Sequence, residues 1–137
     1  MRPSSFNLIL LVFLAVAACR VEDPDRVTVD FWGIGREGEV VRELLPDFHA
    51  EHPNIRIRVQ QIPWTAAHEK LLTAFVGDAM PDIAQLGNTW VPEFELLGGL
   101  ENLEPWIARS NVVDRDDYFE GIWETNVLRD STFGVPW

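Results

Sequence analysis

Three tryptophans, Trp32, Trp64 and Trp90, each fall near the end of a stretch that reads as a β-strand. Groups able to hydrogen-bond a hydroxyl stand beside them: Arg36 and Glu37 near the first, Asn88 and Thr89 next to the third. A flat aromatic face suits the C–H-rich face of a sugar ring, while guanidinium, carboxylate and amide groups bind its hydroxyls. Together these residue types would make a carbohydrate site. The competing role for each tryptophan is packing, since tryptophan is highly buried on average. Trp106 and Trp123 lie in apolar patches and are expected in the core.

Residues fit for bond-breaking chemistry are scarce. The chain has no Gly-x-Ser-x-Gly elbow and no His-Glu-x-x-His pair, and its single cysteine, Cys19, sits at the end of an N-terminal apolar run. His49 and His52 are three apart on one helix and could share a metal; histidines near a helix C-terminus are also favourable against its dipole. His68 reads as an exposed helix residue, and the acidic pairs Glu22-Asp23 and Asp116-Asp117 read as solvated. No catalytic residue, cofactor or metal site is therefore expected. An extracytoplasmic enzyme and an envelope interaction protein remain the rival readings.

The elements that must hold the three tryptophans follow from periodicity. Val27 to Trp32 is β-branched and aromatic and runs into Gly33-Ile34-Gly35, a strand ending in a flexible loop. Val40, Val41, Leu44, Leu45 and Phe48 recur at helical spacing up to His52, with Pro46 expected to kink or divide the helix. Ile55, Ile57 and Val59 alternate with Arg56, Arg58 and Gln60, which predicts a strand at a sheet edge or in a half-covered position. Thr65 is a plausible N-cap for a helix whose apolar face is Ala67, Leu71, Leu72, Phe75 and Val76, closed by Gly77. Asp82 to Leu86 reads as a third, mostly buried strand, Trp90 to Leu97 as a third helix and Leu103 to Ala108 as a fourth. Thr132 to Trp137 could begin another strand. Strand and helix alternating three times is the pattern of a doubly wound, mainly parallel α/β sheet. In such sheets ligands sit beyond the carboxyl ends of the strands, where the tryptophans fall.

The N-terminus has a different character. Arg2 is followed by an apolar run from Phe6 to Ala18, about 13 residues, too short to cross ~30 Å of hydrocarbon as a helix but suited to a signal peptide. Val16-Ala17-Ala18-Cys19 resembles the lipobox of bacterial lipoproteins, in which the cysteine is lipidated and becomes the first mature residue. Ala15-Val16-Ala17 also suits an ordinary secretory cut, which would leave a soluble protein carrying an unpaired thiol in an oxidising compartment. The lipidated reading gives a signal peptide over 1–18, a lipid-anchored tether over 19–26 and a folded part over 27–137. Seven charged, proline-containing tether residues reach at most about 25 Å, so the folded part would stay close to the membrane.

Charge narrows the partners. The net charge is −11, from 22 acidic and 11 basic side chains, and removal of residues 1–18 would take away only the cation Arg2. That balance argues against nucleic acid and against a polybasic membrane patch, both of which need clustered cations.

Taken in order, a set of short stretches resembles the extracellular solute-binding proteins of ABC importers, family 1, the maltose/oligosaccharide-binding type. They are Val29-Asp30-Phe31-Trp32-Gly33, Leu45-Pro46-Asp47-Phe48 with His52-Pro53-Asn54-Ile55, and Gln61-Ile62-Pro63-Trp64. Lys70 to Phe75, Met80 to Trp90, Leu97-Gly98-Gly99-Leu100-Glu101 and the final Phe133-Gly134-Val135-Pro136-Trp137 complete it. The resemblance covers essentially 27–137. It implies a type II periplasmic-binding-protein lobe that captures a sugar outside the membrane and delivers it to an ABC permease, as an exported lipoprotein monomer. Carried over by position, it implies ligand contacts at Trp32, Arg36, Glu37, Trp64, Asn88, Thr89 and Trp90, with a structural role for Asp82. Because members of that family are roughly three times longer, it also implies that 27–137 is the N-terminal, partial lobe of such a receptor, with the second lobe beyond it.

Overall fold

The computed structural model describes residues 26–137; the expected signal peptide over 1–18, Cys19 and all but the last residue of the expected tether lie outside the described residues. Its centre is a three-stranded parallel sheet in the order β2-β1-β3. β1 (Val27–Ile34) pairs along its full length with β2 (Ile55–Ile62), from Val27 opposite Ile55 to Ile34 opposite Ile62. β3 (Ile83–Ala84) pairs on the other side, opposite Phe31 and Trp32. β2 is thus an edge strand, as its alternation predicts: Ile55, Ile57 and Val59 are half-buried and its arginines exposed.

β1 extends past the expected loop, taking in Gly33 and Ile34. Gly33 permits this because α1 (Glu37–Glu51) lies directly on it: a Cβ at Gly33 would come within 2.7 Å of Gly38 Cα. Ile34 is only 1% exposed, and with Ile62 and Ala67 it forms the buried centre on the opposite face. Successive side chains of a strand point to opposite faces. Gly33 and Gln61 therefore meet α1, while Trp32, Ile34 and Ile62 meet α2 (Trp64–Val76), so helices cover both faces of the sheet.

Pro46 does not divide α1, which runs unbroken from Glu37 to Glu51. The helix is pinned to β2 on both sides of the proline. Arg42 donates to Val59 O at 3.1 Å and to Gln61 Oε1 at 3.2 Å, and the Ile57 N–H donates to His49 Nε2 at 3.2 Å. His49 thus occupies a backbone amide of the edge strand, and His52 packs against the Phe48 ring 4.8 Å away. Both histidines have structural work of their own.

The N-cap position of α2 belongs to Pro63, with Trp64 and Thr65 inside the first turn. Pro63 holds the extended backbone of an N-cap residue, φ −62° and ψ 140°, and makes no side-chain cap bond. The buried stripe of α2 is Ala67, Leu71 and Ala74, whereas Val76 is 87% exposed in the last turn.

β3 is shorter and more exposed than expected, with Ile83 half in solvent. Side chains extend its ladder instead. The Asp30 N–H donates to Asp82 Oδ2 at 2.8 Å, the Ile34 N–H to Gln85 Oε1 at 2.6 Å, and the Gln85 N–H to Trp32 O at 2.8 Å. Asp82 therefore has the structural role expected of it.

Beyond β3, a 3-10 turn at Asn88–Trp90 leads into α3 (Val91–Leu96), which buries Val91 and Phe94. α4 (Glu104–Ile107) and α5 (Glu120–Trp123) follow, then a hairpin of β4 (Val127–Leu128) and β5 (Ser131–Thr132). Ser131 and Thr132 therefore pair with β4 rather than with the main sheet, and 133–137 adds no strand, although the Trp137 ring stands edge-on to Phe31 of β1 at 6.0 Å. Trp123 is buried as expected. Trp106 is not: it is 59% exposed and carries the Arg109 guanidinium 4.6 Å above its ring.

Candidate functional site at the strand ends

The carboxyl end of β1 turns sharply at Gly35, whose φ of +61° is the left-handed conformation that favours glycine. Its N–H donates to Ile62 O, and its carbonyl accepts from Gln61 Nε2 at 2.6 Å, which fixes the turn against the end of β2. Two side chains crowd the space above this turn. A Cβ on Gly35 would lie 2.8 Å from Trp64 Nε1 and 2.9 Å from a Glu37 carboxylate oxygen. The first-strand loop and the second-strand loop thus meet through an indole edge and a carboxylate. Arg36 is exposed beside them, and its carbonyl accepts from the Glu39 and Val40 amides to start α1.

The third loop joins the same group. The Trp90 ring lies 6.1 Å from that of Trp64, edge toward face, and packs against the Ile34–Ile62–Ala67 centre. Gly87 leaves room for it: a Cβ there would stand 3.2 Å from the indole. Trp64 is half-exposed and Trp90 half-buried, so the pair combines a fixed base with an open face. Two aromatic rings, a carboxylate and an ordered backbone turn at the strand ends can hold a ring with one apolar face and hydroxylated edges.

The other expected residues take different places. Trp32 lies inside β1 rather than after it. Its indole packs on the sheet centre with Lys70 Nζ 4.7 Å over the ring, and it faces a concavity of about 340 Å³ that also includes Asp30, Arg58 and Met80. That concavity is on the α2 face near mid-strand, and neither Trp64 nor Trp90 lines it. Asn88 donates to Thr125 Oγ1 at 2.6 Å, tying its loop to the 3-10 turn Glu124–Asn126, and Thr89 is exposed.

His68, expected to be an exposed helix residue, is instead half-buried and joins the group together with Glu93, which the sequence did not single out. His68 lies tilted against Trp90 at 5.0 Å, stands edge-on to Phe94, and its Nε2–H donates to Glu93 Oε2 at 2.6 Å. The signal available was spacing: His68 is four residues after Trp64 and therefore on the same helical face. In the concavity, the Arg58 guanidinium hydrogen-bonds the Asp30 carboxylate at 2.5 and 2.6 Å and lowers its pKa below the ordinary value. Among the described residues, no three His, Cys, Asp or Glu side chains converge as a metal site, and no helix is long and apolar enough to cross a membrane.

In open parallel α/β sheets ligands bind at the carboxyl ends of the strands, where this aromatic, hydrogen-bonding cluster lies. The model of the bacterial extracellular solute-binding protein family matches residues 32–137, and the chain belongs to that family. Among solved structures it is similar to the sugar-binding protein MalE from Xanthomonas citri, at 57% identity and a TM-score of 0.78, over 81% of this chain and 28% of that one. It is also similar to the GacH receptor of Streptomyces glaucescens, solved unliganded and with acarbose, at 25% identity and a TM-score of 0.69, over 81% of this chain and 29% of that one. An uncharacterized lipoprotein in the oleD 5' region of Streptomyces antibioticus is 27% identical over 93% of this chain and 28% of its own length. The chain thus spans less than a third of the length of each of these three relatives.

Proposed function

We propose that this chain is the N-terminal lobe of a sugar receptor for an ABC importer, capturing an oligosaccharide outside the membrane and passing it to a permease. The observation that carries the proposal is the meeting of three loops, distant in sequence, at one aromatic cluster: Gly35–Glu37, Trp64 and Trp90. Sugar binding by the similar MalE protein and acarbose binding by the GacH receptor support the choice of ligand. In this reading Trp64 and Trp90 provide the apolar contact, and Glu37, Arg36 and Thr89 bind hydroxyls. Asn88 secures the third loop, and Trp32 supports the site from beneath. Capture by stacking and hydrogen bonding involves no bond-breaking step, so the protein acts as a receptor and not as an enzyme. It works as a monomer, held at the membrane by a lipid on Cys19 after loss of residues 1–18, with 19–26 as tether. The lipoprotein among its relatives supports that anchor.

Two measurements test this. Calorimetric titration of the full-length protein with maltose, maltotriose and acarbose should show binding, weakened by about 1–2 kcal/mol or more in Trp90→Ala, as for other buried aromatic anchors. No heat with any of the three, or equal affinity in the variant, would count against the site. Cys19→Ser should move the protein from the detergent phase to the aqueous phase; unchanged partitioning would remove the lipid from the account.

A further inference from the structure

We infer that His68 and Glu93 form a positioning pair that sets the angle of the Trp90 ring against Trp64. The inference rests on the reading of Trp90 as a ligand contact. Trp90 is held from below by Ile34, Ile62 and Ala67, a set of aliphatic side chains that supports a ring without fixing its rotation. Direction has to come from the side. The His68 imidazole lies 5.0 Å from Trp90 with its plane tilted 54°, and it is trapped between that ring and Phe94 at 6.1 Å. Its own rotation is fixed in turn, because Nε2–H donates to the Glu93 carboxylate at 2.6 Å. An ionised carboxylate can only accept, so this bond specifies both the tautomer and the ring orientation.

The order of influence is therefore Glu93, then His68, then Trp90. Glu93 and Trp90 are carried by α3 and the turn before it, whereas His68 is carried by α2. The pair thus also ties the third loop to the helix that presents Trp64. The charged neighbours of His68 along α2 are Glu69 and Lys70, and Lys70 is committed to the Trp32 ring; from α3 the facing charge is Glu93. Edge-to-face aromatic contacts contribute about 0.5–1.5 kcal/mol, so a Trp90 ring free to turn should lower sugar affinity about two- to tenfold.

Two indoles 6.1 Å apart and inclined at 60° couple excitonically, and the resulting circular-dichroism couplet reports their mutual angle. The couplet is assigned first by its loss in Trp90→Phe. Glu93→Ala and His68→Ala should then reduce it by at least half, and Glu93→Gln should restore it, since an amide oxygen still accepts from His68. His68→Phe, which keeps a flat ring but loses the bond, should fall between. A merely structural role would lower the melting temperature without this pattern of rescue. A couplet unchanged in folded Glu93→Ala and His68→Phe would overturn the inference. Maltotriose affinity in the same variants separates the two proposals. Loss of the couplet with no binding by wild type would refute the sugar reading and leave the positioning pair standing. Strong Trp90-dependent binding that ignores Glu93 would do the reverse.

Discussion

Gly33 and Gly35 are two residues apart, yet replacing each by alanine should fail in a different way. At Gly33 the new Cβ would meet backbone, Gly38 Cα at 2.7 Å and Gly38 N at 3.0 Å, where carbon atoms normally approach to about 3.5–4.0 Å. Backbone cannot swing aside, so the start of α1 must lift from β1 by nearly an ångström. Overpacking of this kind costs about 1–3 kcal/mol, and the reduced freedom of the unfolded chain returns about 0.4–1 kcal/mol. A net loss of about 1.3 kcal/mol should lower the melting temperature by about 5–10 °C in a domain of this size. At Gly35 the obstacles are the ends of two side chains, Trp64 and Glu37, which can move; the residual cost is the left-handed backbone, about 1–2 kcal/mol for an L-residue, less the same return of about 0.4–1 kcal/mol from the unfolded chain. Gly35→Ala should therefore melt closer to wild type while displacing the Trp64 indole. Thermal denaturation with tryptophan fluorescence reads both effects on the same samples. If Gly33→Ala melts with wild type, or Gly35→Ala leaves the tryptophan emission and maltotriose affinity intact, the tight strand–helix contact or the Gly35–Trp64 contact is not as described.

Arg129 and Asp130 both take positive φ, 49° and 61°, in the two-residue turn between β4 and β5, the type I′ geometry in which glycine is preferred at the second place. Asp130→Gly should stabilise the protein by up to about 1 kcal/mol, read as a rise in melting temperature, with Arg129 kept for its ion pair with Glu95. The Asp30 carboxylate is held below its ordinary pKa of 3.8 chiefly by the Arg58 hydrogen bond. Its contribution to stability is therefore present above that value and lost as pH falls through the lower, folded-state pKa. The melting-temperature gap between wild type and Asp30→Asn should be constant near neutrality and close below pH 3.8; a gap that widens in acid would contradict the pairing.

Much of the lobe follows from local pattern. The alternation of Ile55, Ile57 and Val59 with arginine and glutamine yields an edge strand because a strand's faces alternate at every residue. The helical recurrence from Val40 to Phe48 marks α1 in the same way. Alternating strands and helices, joined by short loops, then leave the strand ends as the place where Gly35, Trp64 and Trp90 gather. The tertiary structure decided what periodicity does not encode. β1 continues through Gly33 because α1 needs a residue without a side chain beneath Gly38, and that continuation carries Trp32 into the sheet. Trp106 stays outside because the short α4 presents it to Arg109 rather than to the core. His68 meets Glu93, 25 residues away, only because α3 packs beside α2. Spacing along a chain records which face of an element is apolar. It does not record which two faces the fold will press together, and the orientation of Trp90 depends on that contact.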